Sequence, residues 1–96
     1  MKRLALGLLL ATVGVSCHRE RLTAQDCGLL LDRITALELV ERGFRDPALA
    51  ARRKIEMRAR LKGELDACVG RRVRSGAMDC AVASATIEDL SQRCLR

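Results

Sequence analysis

Five thiols and one imidazole are the groups in this chain that could do chemistry. Cys17, Cys27, Cys68, Cys80 and Cys94 stand in 96 residues that carry a single histidine, His18. Thiolates bind metals, attack carbonyls or oxidise in pairs, and their spacing decides among these uses. Structural zinc draws on close pairs two to four residues apart, whereas here 40, 11 and 13 residues separate Cys27, Cys68, Cys80 and Cys94 in turn. No metal and no cofactor is expected, and those four thiols are expected in two disulfides. Nucleophilic catalysis needs a base held rigidly beside the nucleophile, and His18 lies in a short linker with nothing to hold it. Glu38 with Glu41, and Glu64 with Asp66, are acid pairs on helical stretches that also carry Arg or Lys within a turn, and Glu38 fits an i, i+4 pair with Arg42. Gly70 and Gly76 flank basic residues without a Lys-Ser/Thr signature, so no phosphate loop is present. The chain is expected to have no catalytic activity.

Cys17 closes a distinctive leader. Lys2 and Arg3 precede an apolar run from Leu4 to Val15, and Ser16-Cys17 follow. A run of about twelve residues is too short for a lasting span, which needs roughly twenty, so it reads as an export signal. The segment Val13-Gly14-Val15-Ser16-Cys17 resembles a bacterial lipoprotein signal, with Gly14 where a large apolar residue is usual. That resemblance implies cleavage before Cys17 and acylation of its thiol. It also implies that the next residue influences sorting, and His18 in place of Asp points to the outer membrane, facing the periplasm. Cysteine arithmetic agrees, because removing Cys17 leaves an even set of four in a space where disulfides persist. The expected division is residues 1–16 as signal peptide, 17–22 as linker and 23–96 as one domain. Ordinary secretion with an unmodified Cys17 is the alternative.

The elements that must position the other four thiols read as helices. Thr23-Ala24-Gln25-Asp26 forms a capping box with Asp in the closing position, and Cys27, Leu30, Ile34, Leu37 and Val40 or Glu41 follow at helical spacing. This predicts a helix from Ala24 to Arg42, ended by Gly43. Asp46-Pro47 starts a second helix, expected to run unbroken to about Val69 with Ala50, Met57, Leu61, Leu65 and Cys68 on its core face. So short a connection folds the two helices back as an antiparallel hairpin, with Cys27 and Cys68 on facing stripes. The second helix is longer by about four residues, roughly 6 Å, so an adjustment near Cys27 or Gly63 is needed for the sulfurs to meet. Arg71 to Gly76 reads as a loop. Thr86-Ile87-Glu88-Asp89 is a second capping sequence, which predicts a bend that brings Cys80 to Cys94. Cys27–Cys68 with Cys80–Cys94 is the expected pairing. Cys27–Cys80 with Cys68–Cys94 is the runner-up and would suit an unbroken third helix.

The expected fold is thus all-α, a small disulfide-stapled helical hairpin plus C-terminal short helices after the signal segment. With one aromatic, Phe44, in the whole chain, aliphatic side chains must fill the core and the staples must carry much of the stability. The tail, with Cys80, Ala85, Thr86, Leu90 and Cys94, resembles small four-cysteine helical lipoproteins of Gram-negative, myxobacterial-type bacteria, a group without an assigned activity. The formal net charge is +6, and +4 once Lys2 and Arg3 leave with the signal. Arg52, Arg53, Lys54, Arg58, Arg60, Lys62, Arg71, Arg72 and Arg74 form the basic surface. It is suited to solubility, to an anionic envelope component or to an acidic protein. Nucleic acid is not expected, because the aromatic stacking platforms of single-strand binders are missing. The expected function is that of an envelope-anchored lipoprotein acting as a structural or protein-interaction module. The alternative is a secreted or periplasmic module that binds an anionic envelope ligand through its basic helix face.

Overall fold

A computed structural model describes residues 19–96. Cys17, His18 and the signal segment lie outside the described residues. The chain is mostly helical, with a small two-stranded ribbon at one end. In order, the elements are strand β1 (Arg19–Arg21), helices α1 (Ala24–Glu41), α2 (Pro47–Arg60) and α3 (Lys62–Cys68), strand β2 (Arg72–Arg74), and helices α4 (Ala77–Ala83) and α5 (Ile87–Asp89), the last opening into a wide π-type turn over Leu90–Cys94.

Local chemistry explains each boundary. Thr23 Oγ1 accepts from the Asp26 N–H at 3.0 Å and the Asp26 carboxylate accepts from the Thr23 N–H at 2.9 Å, a reciprocal box that satisfies two otherwise unpaired donors. At the other end of α1, Gly43 takes φ +92°. That conformation lets the Gly43 N–H reach Val40 O and the Phe44 N–H reach Leu39 O, both at 2.9 Å, so two orphan carbonyls find donors. Asp46 caps α2 by accepting from the Ala48 N–H at 3.0 Å, with Pro47 behind it. Thr86 Oγ1 accepts from the Asp89 N–H at 3.0 Å and restarts the chain after α4.

The hairpin is antiparallel, since Asp32 of α1 pairs with Arg58 of α2 while the earlier Cys27 joins the later Cys68. Its core contains Leu22, Cys27, Leu30, Leu37, Ala81, Leu90 and Cys94, with Ile34, Leu65, Met78 and Ile87 packed against them. Burial is uneven. Helix α1 carries six buried residues, whereas α2 and α3 carry none, so Ala50, Met57, Leu61, Leu65 and Cys68 form a half-buried stripe at the edge of the core.

Two sequence expectations are corrected. The second helix is not continuous to Val69. Leu61 (φ −105°, ψ 32°) ends α2 and starts α3, and this break one residue before Lys62-Gly63 is the adjustment in level that the longer arm of the hairpin required. Nor is Arg71–Gly76 wholly a loop, or 17–22 wholly a linker. Arg19–Arg21 and Arg72–Arg74 pair antiparallel in the register Arg19↔Arg74, Glu20↔Val73, Arg21↔Arg72. The ladder continues where the Leu22 N–H donates to Arg71 O at 2.9 Å and the Gly70 N–H donates to Leu22 O at 2.7 Å.

Candidate interaction surfaces

The cysteines come first because they set the frame. Cys27 joins Cys68 with Cα atoms 6.1 Å apart, and Cys80 joins Cys94 at 5.5 Å. The first bridge ties the start of α1 to the end of α3. The second closes the C-terminal elbow, where α4 stops at Ser84 and α5 begins after Thr86. Ser84 is buried, and its hydroxyl donates to Cys80 O at 3.0 Å and lies 3.4 Å from Cys94 Sγ. Two side chains of α1 hold this elbow: Arg33 Nη2 donates to Ser84 O at 2.6 Å, and the Glu41 carboxylate accepts from the Ile87 N–H at 3.0 Å. Glu41 is thus a capping ligand and not half of an acid pair, while Glu38 meets Arg42 at 3.5 Å as a surface ion pair. Among the described residues no three His, Cys, Asp or Glu side chains cluster as a metal site would require.

The nine basic residues read from the sequence fall into two groups. Six lie on α2 and α3, and half of these are engaged by acids. Arg53 pairs with Glu56, Lys62 with Asp66 at 3.1 Å, and Arg58 with Asp32 through both Nε and Nη2, at 2.9 and 2.8 Å. First the hydrogen bond and then the charge of Asp32 hold the Arg58 guanidinium protonated still more firmly than usual. This contact crosses the hairpin over Gly28, where the three nearest atoms to an added Cβ would all belong to the Arg58 guanidinium, at 2.8–2.9 Å. Arg58 is therefore an interhelical clamp, and only Arg52, Lys54 and Arg60 of this group lack an acidic partner among the described residues.

The other three, Arg71, Arg72 and Arg74, belong to the ribbon or its edge. There the structure adds two that sequence reasoning placed in a linker, Arg19 and Arg21. Residues directly opposite in an antiparallel pair share a face, as do residues two apart on one strand. Arg19, Arg21, Arg72 and Arg74 therefore share one face, and Glu20 and Val73 share the other. All four arginines are exposed, whereas Val73 packs against the core beside Leu22. Arg21 donates to Gly70 O at 3.3 Å and Arg74 to Arg93 O at 2.8 Å; these acceptors are neutral, and among the described residues no carboxylate pairs with any of the four. Like charges set directly opposite destabilise a ladder by some tenths of a kcal/mol per pair. The period-2 alternation in Arg19-Glu20-Arg21-Leu22 and Arg72-Val73-Arg74 was the available signal, too short to be distinctive.

Behind the ribbon opens an apolar groove of about 280 Å³, between α1, α3, β2 and the C-terminal residues. Leu22, Leu30, Leu31, Ile34, Leu61, Leu65, Val73 and Leu95 supply its apolar wall, and Glu64, Arg71 and Arg72 contribute polar edges. Small-molecule sites generally start near 300 Å³, so this groove suits an apolar side chain or two better than an enclosed ligand. Among the described residues no helix is long and apolar enough to cross a membrane. No protein-family model, curated protein or solved structure matches this chain.

Proposed function

We propose that the chain is an exported lipoprotein, acylated on Cys17 and held at the cell envelope, whose stapled helical domain is a non-catalytic interaction module. The observation that carries the reading is the disposition of thiols. Cys27, Cys68, Cys80 and Cys94 pair with one another, so Cys17 is the one cysteine left over, and it stands at the end of a leader of the lipoprotein type. An acylated Cys17 needs no partner. His18 after it favours the outer membrane, facing the periplasm.

The shallow groove with charged edges favours contact with another protein over carriage of a small ligand. The second reading, anionic ligand binding through the basic helix face, loses support from the acids on Arg53, Arg58 and Lys62. Metabolic labelling with a radioactive fatty acid tests the anchored reading. The parent chain should incorporate label and fractionate with membranes, and Cys17→Ala should do neither. Equal labelling of the two would remove the lipoprotein reading.

A further inference from the structure

The four-arginine face of the ribbon is a second feature whose chemistry asks for a partner. Arg19 stands opposite Arg74 and Arg21 opposite Arg72. Strands lie about 5 Å apart and residues two positions along a strand about 7 Å apart, so four guanidinium groups project from a very small patch. Hydrogen bonds to the Gly70 and Arg93 carbonyls orient two of them and neutralise neither. The ribbon tolerates this crowding because its other face is secured: Val73 and Leu22 pack on the core, and Cys27–Cys68 closes the chain just behind it.

We propose that this face seats on the phosphate groups of an anionic lipid surface, the membrane that would hold the acyl chains of Cys17. The proposal rests on the anchored reading for its geometry. Cys17 precedes Arg19 by two residues, and two residues span at most about 7 Å. A domain tethered so closely meets the headgroup layer, and the strand next to the tether is the one that carries Arg19 and Arg21. Guanidinium groups bind phosphate oxygens through paired N–H donors. The face also lacks the apolar centre that a specific protein interface needs, since Val73 points the other way. Lipid headgroups are therefore favoured over an acidic protein.

The test uses the mature chain, residues 17–96, carrying Cys17→Ala, so that neither an acyl chain nor the apolar leader contributes, and vesicles of phosphatidylcholine alone or with phosphatidylglycerol. Sedimentation should show binding to the anionic vesicles only, weakening as salt rises. Each basic residue near an anionic surface contributes roughly a fivefold gain in affinity, so replacing Arg19, Arg21, Arg72 and Arg74 by Gln together should lower it by about a thousandfold. Replacing Arg42, Arg45, Arg52 and Lys54 by Gln removes the same net charge from the turn half of the hairpin and should cost less than about tenfold. Equal losses in the two variants, or no preference for anionic vesicles, overturn the proposal. A footprint on the unsubstituted arginines serves if the ribbon variant misfolds. Vesicles should protect Arg19, Arg21, Arg72 and Arg74 from a guanidine-directed reagent while Arg45 and Arg52 still react, and the reverse pattern also overturns it. Neither measurement depends on acylation, so a failure of acyl labelling and a failure of the ribbon are separate results.

Discussion

Arg58 grips Asp32 from the opposite arm of the hairpin with two parallel hydrogen bonds, and it can do so because Gly28, one turn earlier on α1, leaves room for its guanidinium. Two forces oppose each other at Gly28. Alanine in a helix interior is worth roughly 0.5–1 kcal/mol over glycine, and a partly exposed ion pair is worth about as much. Gly28→Ala should therefore leave stability nearly unchanged in the parent, yet stabilise an Arg58→Ala background by about 0.5–1 kcal/mol. Urea unfolding of the four proteins of this cycle measures the coupling. If Gly28→Ala brings no gain in the Arg58→Ala background, some other neighbour sets the constraint.

The two disulfides should contribute unequally. Their sequence separations are 41 and 14 residues, which in the chain-entropy account correspond to about 4 and about 3 kcal/mol. Replacing Cys27 and Cys68 by Ala should lower the melting temperature by more than about 15 °C and further than replacing Cys80 and Cys94. The opposite order in thermal unfolding would mean that the elbow, and not the hairpin, limits stability.

Glu41 should control how tightly the C-terminal elbow is held. Its carboxylate accepts the Ile87 N–H, and loss of such a bond costs about 1 kcal/mol. Glu41→Ala should speed hydrogen exchange at the Ile87 amide by roughly fivefold, while Glu41→Gln, which keeps an acceptor oxygen, should stay near the parent. Unaltered exchange in the alanine variant would show that Arg33 and the Cys80–Cys94 bridge hold the elbow without it.

Burial, and not helix membership, should decide the cost of aliphatic truncation. Leu22 follows a three-residue strand and is 6% exposed, whereas Ile55 lies in the middle of α2 and is 72% exposed. Leu22→Ala should cost about 2–4 kcal/mol and Ile55→Ala less than about 0.5. Chemical denaturation of the two variants makes the comparison, and a costly Ile55→Ala would reveal a partner on that face of α2.

The helical part of this architecture was legible because its signals are local. Thr23 with Asp26, Asp46 with Pro47, Gly43 and Thr86 each act within one turn of the chain, and the structure uses each as a boundary. The ribbon was not legible. Arg19-Glu20-Arg21 and Arg72-Val73-Arg74 have little strand propensity, and they pair because the hairpin and Cys27–Cys68 bring their backbones together across about fifty residues. The break at Leu61 was visible only as a mismatch in length, with no proline or glycine at the position itself. Among the basic residues, sequence gave the charge of Arg58 but could not show that Asp32, 26 residues away, absorbs it.

The two bridges join cysteines that are consecutive along the chain from Cys27 onward, and neither loop encloses the other. If the chain is exported as proposed, N-terminal part first, this order matters to oxidation. Cys27 and Cys68 can be paired before Cys80 arrives, and Cys80 and Cys94 then find only each other. An oxidase that couples thiols in order of emergence makes the native set directly, without later reshuffling by an isomerase. The exception is Cys17, which leads the sequence. Left as a thiol it would be the first competitor for Cys27, and the acylation proposed for it would remove that competitor from the order in which the rest of the protein is stitched.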